Sequence, residues 1–137
     1  MRGNVGQDIK FSFDEALSLE GNSGPYLQYT YARARSVLAK SSRNRPYGFT
    51  EVKEFNTEEE VLLRTLYRFE EAVVQAADEL APNLVANFLY DLAQKYNSFY
   101  NKHRVIGNDF RLWLTDSTAQ ILQRGLGLLG ISAPEKM

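Results

Sequence analysis

Apolar residues recur at helical spacing along most of this chain, and that pattern limits its fold more than any other feature. From residue 57 the apolar positions step by four, three, four, three and four: Leu62, Leu66, Phe69, Val73, Ala76 and Leu80. Such steps place all six side chains on one stripe of an α-helix. The preceding run Thr57-Glu58-Glu59-Glu60 matches a capping box with Thr57 as N-cap and Glu60 as its partner. The spacing predicts one continuous helix over residues 57–80.

Three further segments predict helices. One runs over residues 25–40, between turn-rich segments at 20–24 and 41–48. Another begins with Pro82 in its first turn and ends near Arg104; its predicted inward face is Leu84, Phe88, Leu92, Tyr96 and Phe99. The last is capped by Asn108 or Asp109, and Gly125, Gly127 and Gly130 in its final turns permit close packing and helix termination. The alternating residues 9–13 are expected to pack as an extended arm. The predicted fold is all-α, a bundle of four to five helices in one domain.

Residues that carry catalytic chemistry are scarce. The chain has no Cys and one His, His103, which excludes disulfides, thiolate nucleophiles and metal sites built on Cys or several His. The Gly-rich segment 125–130 imitates a dinucleotide fingerprint, but it closes a helix instead of following a strand. The acidic segment 51–60 lacks the spacing of a calcium loop and is interpreted as a solvated helix start. We predict no catalytic residue, no metal site and no cofactor for this chain.

The N-terminus gives no sign of targeting. Residues 1–8 lack the apolar segment of a secretory signal, and uninterrupted apolar runs are only a few residues long. We therefore expect a soluble, cytoplasmic protein that does not enter a membrane.

Charge is distributed unevenly, although the net charge of the 137 residues is only −1. Residues 1–20 sum to −2, residues 21–50 to +5, residues 51–80 to −6 and residues 81–137 to +2. The near-neutral total is therefore a cancellation, and one end of the domain is expected to be positive.

The basic segment interleaves aromatic and guanidinium side chains along the predicted first helix: Tyr26, Tyr29, Tyr31, Arg33 and Arg35. Aromatic faces stack on unpaired bases and arginines contact phosphates, so the mixture favours single-stranded nucleic acid. Tyr29 and Arg33 are one turn apart on the same face. Spacing alone leaves an alternative open, in which the tyrosines edge the core and arginine stems cover them.

Residues 13–29 read Phe-Asp-Glu-Ala-Leu-Ser-Leu-Glu-Gly-Asn-Ser-Gly-Pro-Tyr-Leu-Gln-Tyr. This run strongly resembles the C-terminal anticodon-binding domain of arginyl-tRNA synthetases. The ending at 128–137, Leu-Leu-Gly-Ile-Ser-Ala-Pro-Glu-Lys-Met, resembles that family's C-terminus, and residues 89–93 and 97–100 resemble its third-helix region. The resemblance covers about residues 8–137.

The resemblance implies an all-helical domain of the class I synthetase type that binds the anticodon arm of tRNA(Arg). The anticodon contacts that it implies are Glu20, Gly21, Asn22, Ser23, Gly24, Tyr29, Arg33, Tyr100 and Met137. Arg35, Arg43 and Arg45 are expected to contact the phosphate backbone. Lys136 stands where the family usually has Arg, which keeps the charge but loses the planar fork.

The resemblance also implies a parent enzyme that attaches arginine to tRNA with ATP and Mg²⁺ in a catalytic domain for which this chain has no room. We therefore expect residues 1–137 to be a single domain from a longer synthetase, monomeric and inactive by itself. Its expected partners are the anticodon stem-loop of tRNA(Arg) and the catalytic domain. The alternatives are a stand-alone helical module that binds RNA or an acidic protein, and a stand-alone enzyme, which the missing cofactor motifs disfavour.

Overall fold

The computed structural model describes residues 24–42 and 44–136; the regular secondary structure of these residues is entirely helical, with no strand among them. The helices are α1 (Gly24–Lys40), α2 (Thr57–Tyr67), α3 (Phe69–Asp78), α4 (Asn83–Lys102) and α5 (Asp109–Leu128). The predicted all-α bundle is therefore confirmed. The extended arm predicted at residues 9–13 lies outside the described residues.

Helix α4 lies at the centre, because α1, α2, α3 and α5 all pack against it. Its predicted inward residues Leu92, Tyr96 and Phe99 are fully buried, whereas Leu84 and Phe88 are half-buried. Helices α1 and α5 also pack extensively on each other. The apolar stripes thus converge on one core, as their periodicity predicts.

The prediction of one continuous helix over residues 57–80 is wrong. The chain turns at Arg68, whose φ of −88° and ψ of 0° end α2 and begin α3. The turn lets Phe69 pack on Phe88 of α4, with ring centroids 5.7 Å apart. Leu80, expected on the inward stripe, is 75% exposed and has a left-handed φ of 51°. The apolar spacing continues through residues 57–80, but packing against α4 divides the segment into two helices.

The capping box of α2 exists but begins one residue earlier than predicted. Asn56, not Thr57, is the N-cap: its Oδ1 accepts from the Glu59 backbone N at 2.8 Å, and the Glu59 carboxylate accepts from the Asn56 backbone N at 3.2 Å. Glu59 also accepts a hydrogen bond from Arg111 Nε at 2.7 Å. With Asn56 as N-cap, Glu59 stands at N3 and completes the box, while Glu60 pairs with Arg64 one turn later. Of the two predicted caps of α5, Asn108 and Asp109, the structure has Asn108, whose side chain accepts from the Arg111 backbone N.

Two glycines explain how the C-terminal segment reaches α1. A Cβ on Gly125 would lie 2.5 Å from Leu89 Cδ2, so any larger residue would force the buried Leu89 side chain to shift where α5 meets α4. Gly130 has a φ of 74°, which favours glycine and redirects the chain after α5. The chain then passes the start of α1, where Gln28 Nε2 donates to the Ser132 carbonyl oxygen at 2.8 Å.

Candidate nucleic-acid interface

An open groove of about 500 Å³ lies between α1, α4 and the C-terminal segment. Its lining includes three of the predicted anticodon contacts, Tyr29, Arg33 and Tyr100. These residues are separated by up to 71 positions in sequence. The fold therefore brings together side chains that lie far apart in the sequence.

Arg33 is the centre of the groove. Its Cζ lies 4.9 Å from the centroid of the Tyr29 ring and 4.6 Å from that of the Tyr100 ring, within cation–π range of both. Its Nη2 donates to the Tyr29 hydroxyl at 2.6 Å, and its Nη1 donates to Asn97 Oδ1 at 2.9 Å. All of these partners are neutral, so they hold the guanidinium in place without cancelling its charge.

The tyrosines of α1 divide between the core and the groove. Tyr31 is only 2% exposed and packs in the core beside Leu27 and Ala34. Tyr29, two residues earlier, is half-buried and lines the groove. For Tyr31 the alternative that the tyrosines belong to the core is therefore correct. Burial separates core tyrosines from groove tyrosines, which helical spacing alone could not do.

The groove is bordered by basic side chains. Lys40 from the last turn of α1 and Lys136 from the C-terminal segment both line it. Glu135 also lines it and pairs with Arg35, whose Nη2 lies 3.5 Å from the carboxylate. Among the described residues, none from the acid-rich start of α2 lines the groove. The balance of charge here favours an anionic ligand.

Arg45, another predicted phosphate contact, lies in a different environment. Its Nε and Nη2 both donate to the carboxylate of Asp116, with Nη2 2.6 Å from Oδ1. The Tyr47 hydroxyl and Gln120 Nε2 donate to the same carboxylate at 2.9 and 3.2 Å. We name Arg45, Tyr47, Asp116 and Gln120 the Asp116 cluster. It fastens the segment after α1 to α5.

Burial and charge both act on the titration of the Asp116 cluster. Burial, together with the hydrogen bond to Asp116, raises the pKa of Tyr47 to about 12. Burial would by itself raise the pKa of Asp116, but the hydrogen bonds from Arg45, Tyr47 and Gln120 and the charge of Arg45 outweigh it and hold that pKa below its usual value. Asp116 therefore stays ionised and neutralises Arg45.

The remaining predicted contacts are only partly described. Gly24 begins α1, where a Cβ would lie 3.7 Å from Ile131 Cδ1. The other predicted contacts lie outside the described residues and stay predictions: Glu20, Gly21, Asn22, Ser23, Arg43 and Met137.

Asn97 contacts the groove residue Arg33, and no sequence pattern assigned it a role. It is half-buried on α4 and holds Arg33 through its carboxamide. Two sequence signals point to its neighbourhood: the family resemblance at residues 97–100, and its position three residues before Tyr100, which places both on one side of α4.

The part of the chain that the structure describes is residues 24–42 and 44–136. None of its helices combines the length and apolar character needed to cross a membrane. Nowhere in it do three or more His, Asp or Glu side chains meet in an arrangement that holds a metal ion.

The family of DALR anticodon binding domains has a model that matches residues 27–137. This chain belongs to that family. The match contains every described groove residue, so the Tyr29, Arg33 and Tyr100 arrangement lies within the DALR domain itself.

The relatives of this DALR domain are arginine–tRNA ligases. That of Thermus thermophilus is 40% identical over 96% of the chain, and that of Clostridium kluyveri is 36% identical over the whole chain. The structure of the Thermus thermophilus arginyl-tRNA synthetase superposes with a TM-score of 0.86 at 39% identity over 96% of the chain, and covers 24% of that protein. The Plasmodium falciparum arginyl-tRNA synthetase gives 0.87 at 28% identity over 98% of the chain, and 25% of that protein.

The resemblance read from the sequence is thus confirmed for family and fold. The chain spans about a quarter of the length of the curated relatives it matches, 24% for Thermus thermophilus and 26% for Clostridium kluyveri.

Proposed function

We propose that this DALR domain binds the anticodon arm of tRNA(Arg) as part of an arginyl-tRNA synthetase. The family match and the identity of the relatives support the assignment. The parent enzyme attaches arginine to tRNA with ATP and Mg²⁺ bound in a catalytic domain, in the cytoplasm. The present chain binds tRNA as a monomer and does not aminoacylate it.

The observation that carries this proposal is the charged Arg33 held between two tyrosine rings. An anticodon loop presents unstacked bases and closely spaced phosphates. Tyr29 and Tyr100 offer ring surfaces for base stacking, and Arg33 offers a fixed positive charge for a phosphate. The groove thus combines the two interactions that single-stranded RNA needs.

Other residues extend the same surface. Lys40 and Lys136 border the groove and contact phosphates on either side of the stacked bases. We propose that base edges are read by the residues that precede or begin α1 in the sequence: Glu20, Gly21, Asn22, Ser23 and Gly24. Arg35, Arg43 and Met137 remain proposed contacts, whereas Arg45, predicted as a phosphate contact, is neutralised by Asp116 and we propose that it stabilises the fold instead.

Replacement of Tyr29 tests the stacking role directly. Tyr29→Ala is expected to weaken binding of tRNA(Arg) by about 1–3 kcal/mol, because one aromatic surface is lost. Tyr67→Ala is the matched control, since Tyr67 is 78% exposed on α2 and outside the groove. Equal affinities of Tyr29→Ala and the unsubstituted chain would contradict the proposal.

Preference for tRNA(Arg) over another elongator tRNA distinguishes this function from general RNA or acidic-protein binding. Exchange of pyrophosphate into ATP by this chain alone, in the presence of arginine, would contradict the assignment of catalysis to a separate domain.

A further inference from the structure

We infer that Asn97 is the positioning residue of the groove: its carboxamide holds Arg33 between the two tyrosine rings and fixes the register of α1 on α4. The inference rests on the proposed function, because RNA binding is its readout. It adds a residue that makes no contact with RNA and acts through Arg33.

Asn97 makes three hydrogen bonds to α1. Its Oδ1 accepts from Arg33 Nη1 at 2.9 Å. Its Nδ2 donates to Thr30 Oγ1 at 3.0 Å and to the Tyr26 hydroxyl at 3.1 Å. Both the oxygen and the nitrogen of this carboxamide therefore bond to α1.

The orientation of this carboxamide follows from its partners. A guanidinium only donates, so Arg33 requires the oxygen of Asn97. Thr30 Oγ1 donates its own hydrogen to the Tyr26 carbonyl oxygen at 3.0 Å, so toward Asn97 it accepts and requires the nitrogen. A flipped carboxamide would set nitrogen against Arg33, and a carboxylate would lack the donor for Thr30. Only an amide satisfies both sides.

The three α1 partners lie on one stripe of that helix. Tyr26, Thr30 and Arg33 are spaced by four and three residues, which places them on successive turns facing α4. Asn97 thereby fixes how far α1 lies along α4. A shift of one turn would move Tyr29 and Arg33 by about 5.4 Å relative to Tyr100 and open the sandwich.

Asn97 also holds Arg33 without neutralising it. An aspartate at this position would accept the same hydrogen bond from Nη1, but it would cancel the guanidinium charge that the phosphate needs. An apolar side chain would leave the charge of Arg33 intact but would no longer hold its guanidinium in place. Asn97→Asp keeps the acceptor for Arg33 and adds a negative charge, whereas Asn97→Leu removes the acceptor and adds no charge, so the two replacements separate the hold on Arg33 from its charge.

The experiment measures the affinity of the 137-residue chain for an anticodon stem-loop RNA of tRNA(Arg). Asn97→Leu is expected to weaken binding about five- to tenfold, the equivalent of one ordinary lost hydrogen bond. Arg33→Ala weakens it as well, and the double variant Asn97→Leu/Arg33→Ala loses less affinity than the sum of the two single losses. Gln75→Ala is the control, a lost amide on α3 away from the groove, and leaves affinity unchanged.

Salt dependence supplies a readout that a purely structural role would not change. Asn97→Asp is expected to reduce the slope of log affinity against log salt by about one, because Arg33 is neutralised. Asn97→Leu keeps the charge and keeps most of the slope.

Failure of this inference differs from failure of the proposed function. If Arg33→Ala weakens binding and Asn97→Leu does not, or if their effects add in the double variant, the positioning role is wrong and the groove assignment stands. If neither substitution changes affinity, the groove assignment itself is wrong. Thermal unfolding shows whether each variant folds. If Asn97→Leu does not fold, the positioning role is tested by two other measurements: the slope of log affinity against log salt for Asn97→Asp, and the double-mutant cycle of Asn97→Asp with Arg33→Ala.

Discussion

Arg33 and Arg45 have similar surroundings but differ in the charge of their hydrogen-bond partners. Arg33 and Arg45 each hydrogen-bond a polar side chain and lie close to a tyrosine, and both come from the same basic segment of sequence. Arg45 faces the carboxylate of Asp116, whose side chain is 4% exposed. Arg33 faces two aromatic rings and a carboxamide.

The charge of its partner determines whether each arginine can offer its own charge to a ligand. A buried carboxylate without its cation is costly, so Asp116 needs Arg45, and the pair carries no net charge to offer. Neutral partners fix Arg33 equally well in space and leave its charge for a ligand. Arg45 therefore stabilises the fold, and Arg33 is the residue we propose for RNA.

The largest expected effect is on stability, from Asp116→Ala. This substitution removes the acceptor shared by Arg45, Tyr47 and Gln120, and we expect the free energy of unfolding to fall by about 2–3 kcal/mol. Urea denaturation measures it. Asp91→Ala is the control, because Asp91 forms a partly exposed pair with Lys95 and is expected to cost less than about 1 kcal/mol. Equal losses would remove the distinction between the two sites.

The next effect is on RNA affinity, from exchanging the two arginines for alanine. Arg33→Ala is expected to weaken tRNA(Arg) binding about tenfold and to lower the salt slope by about one. Arg45→Ala is expected to leave affinity within about twofold while destabilising the fold, because its charge is already neutralised. Filter binding at several salt concentrations measures both. A larger loss for Arg45→Ala would reverse the comparison and restore Arg45 as a phosphate contact.

A smaller effect is expected from Arg33→Lys. Lysine keeps the charge but loses the planar group that lies between Tyr29 and Tyr100 and the fork that reaches two acceptors. We expect affinity to fall about three- to fivefold with an unchanged salt slope, on the scale of one cation–π contact. Affinity equal to that of the unsubstituted chain would show that charge alone matters at this position.

The smallest expected effect is a pH dependence at the Asp116 cluster. Because the native pKa of Asp116 is below the unfolded value of about 4, its stabilisation is complete above that pH and is lost as the pH falls through the native pKa. Arg45 is 59% exposed, so solvent screens the charge and the loss stays below about 1 kcal/mol. The stability difference between the unsubstituted chain and Asp116→Asn should shrink in acid; a difference that grows in acid would contradict this account.

Sequence predicted the local features and missed the tertiary ones. The face shared by Tyr29 and Arg33 followed from one helical turn, and the cap at Asn108 followed from its residue type. Asp116 is 71 residues from Arg45, so no local pattern reveals that this arginine is neutralised. The turn at Arg68 was missed for the same reason, since packing on α4 causes it.

Tyr100 and Asn97 show the same limit within the groove. The family resemblance supplied Tyr100, but its contact with Arg33 exists only once α1 packs on α4. Asn97 has no sequence signature as a hydrogen-bonding hub, because its three partners are all on another helix.

The central claim is that the charge held by neutral partners is the one that meets RNA. The side-chain Nε–H signals of Arg33 and Arg45, followed by NMR during titration with an anticodon stem-loop of tRNA(Arg), test it most directly. We predict that the Arg33 signal shifts with RNA concentration and that the Arg45 signal does not move. A shift at Arg45 with none at Arg33 would contradict the account.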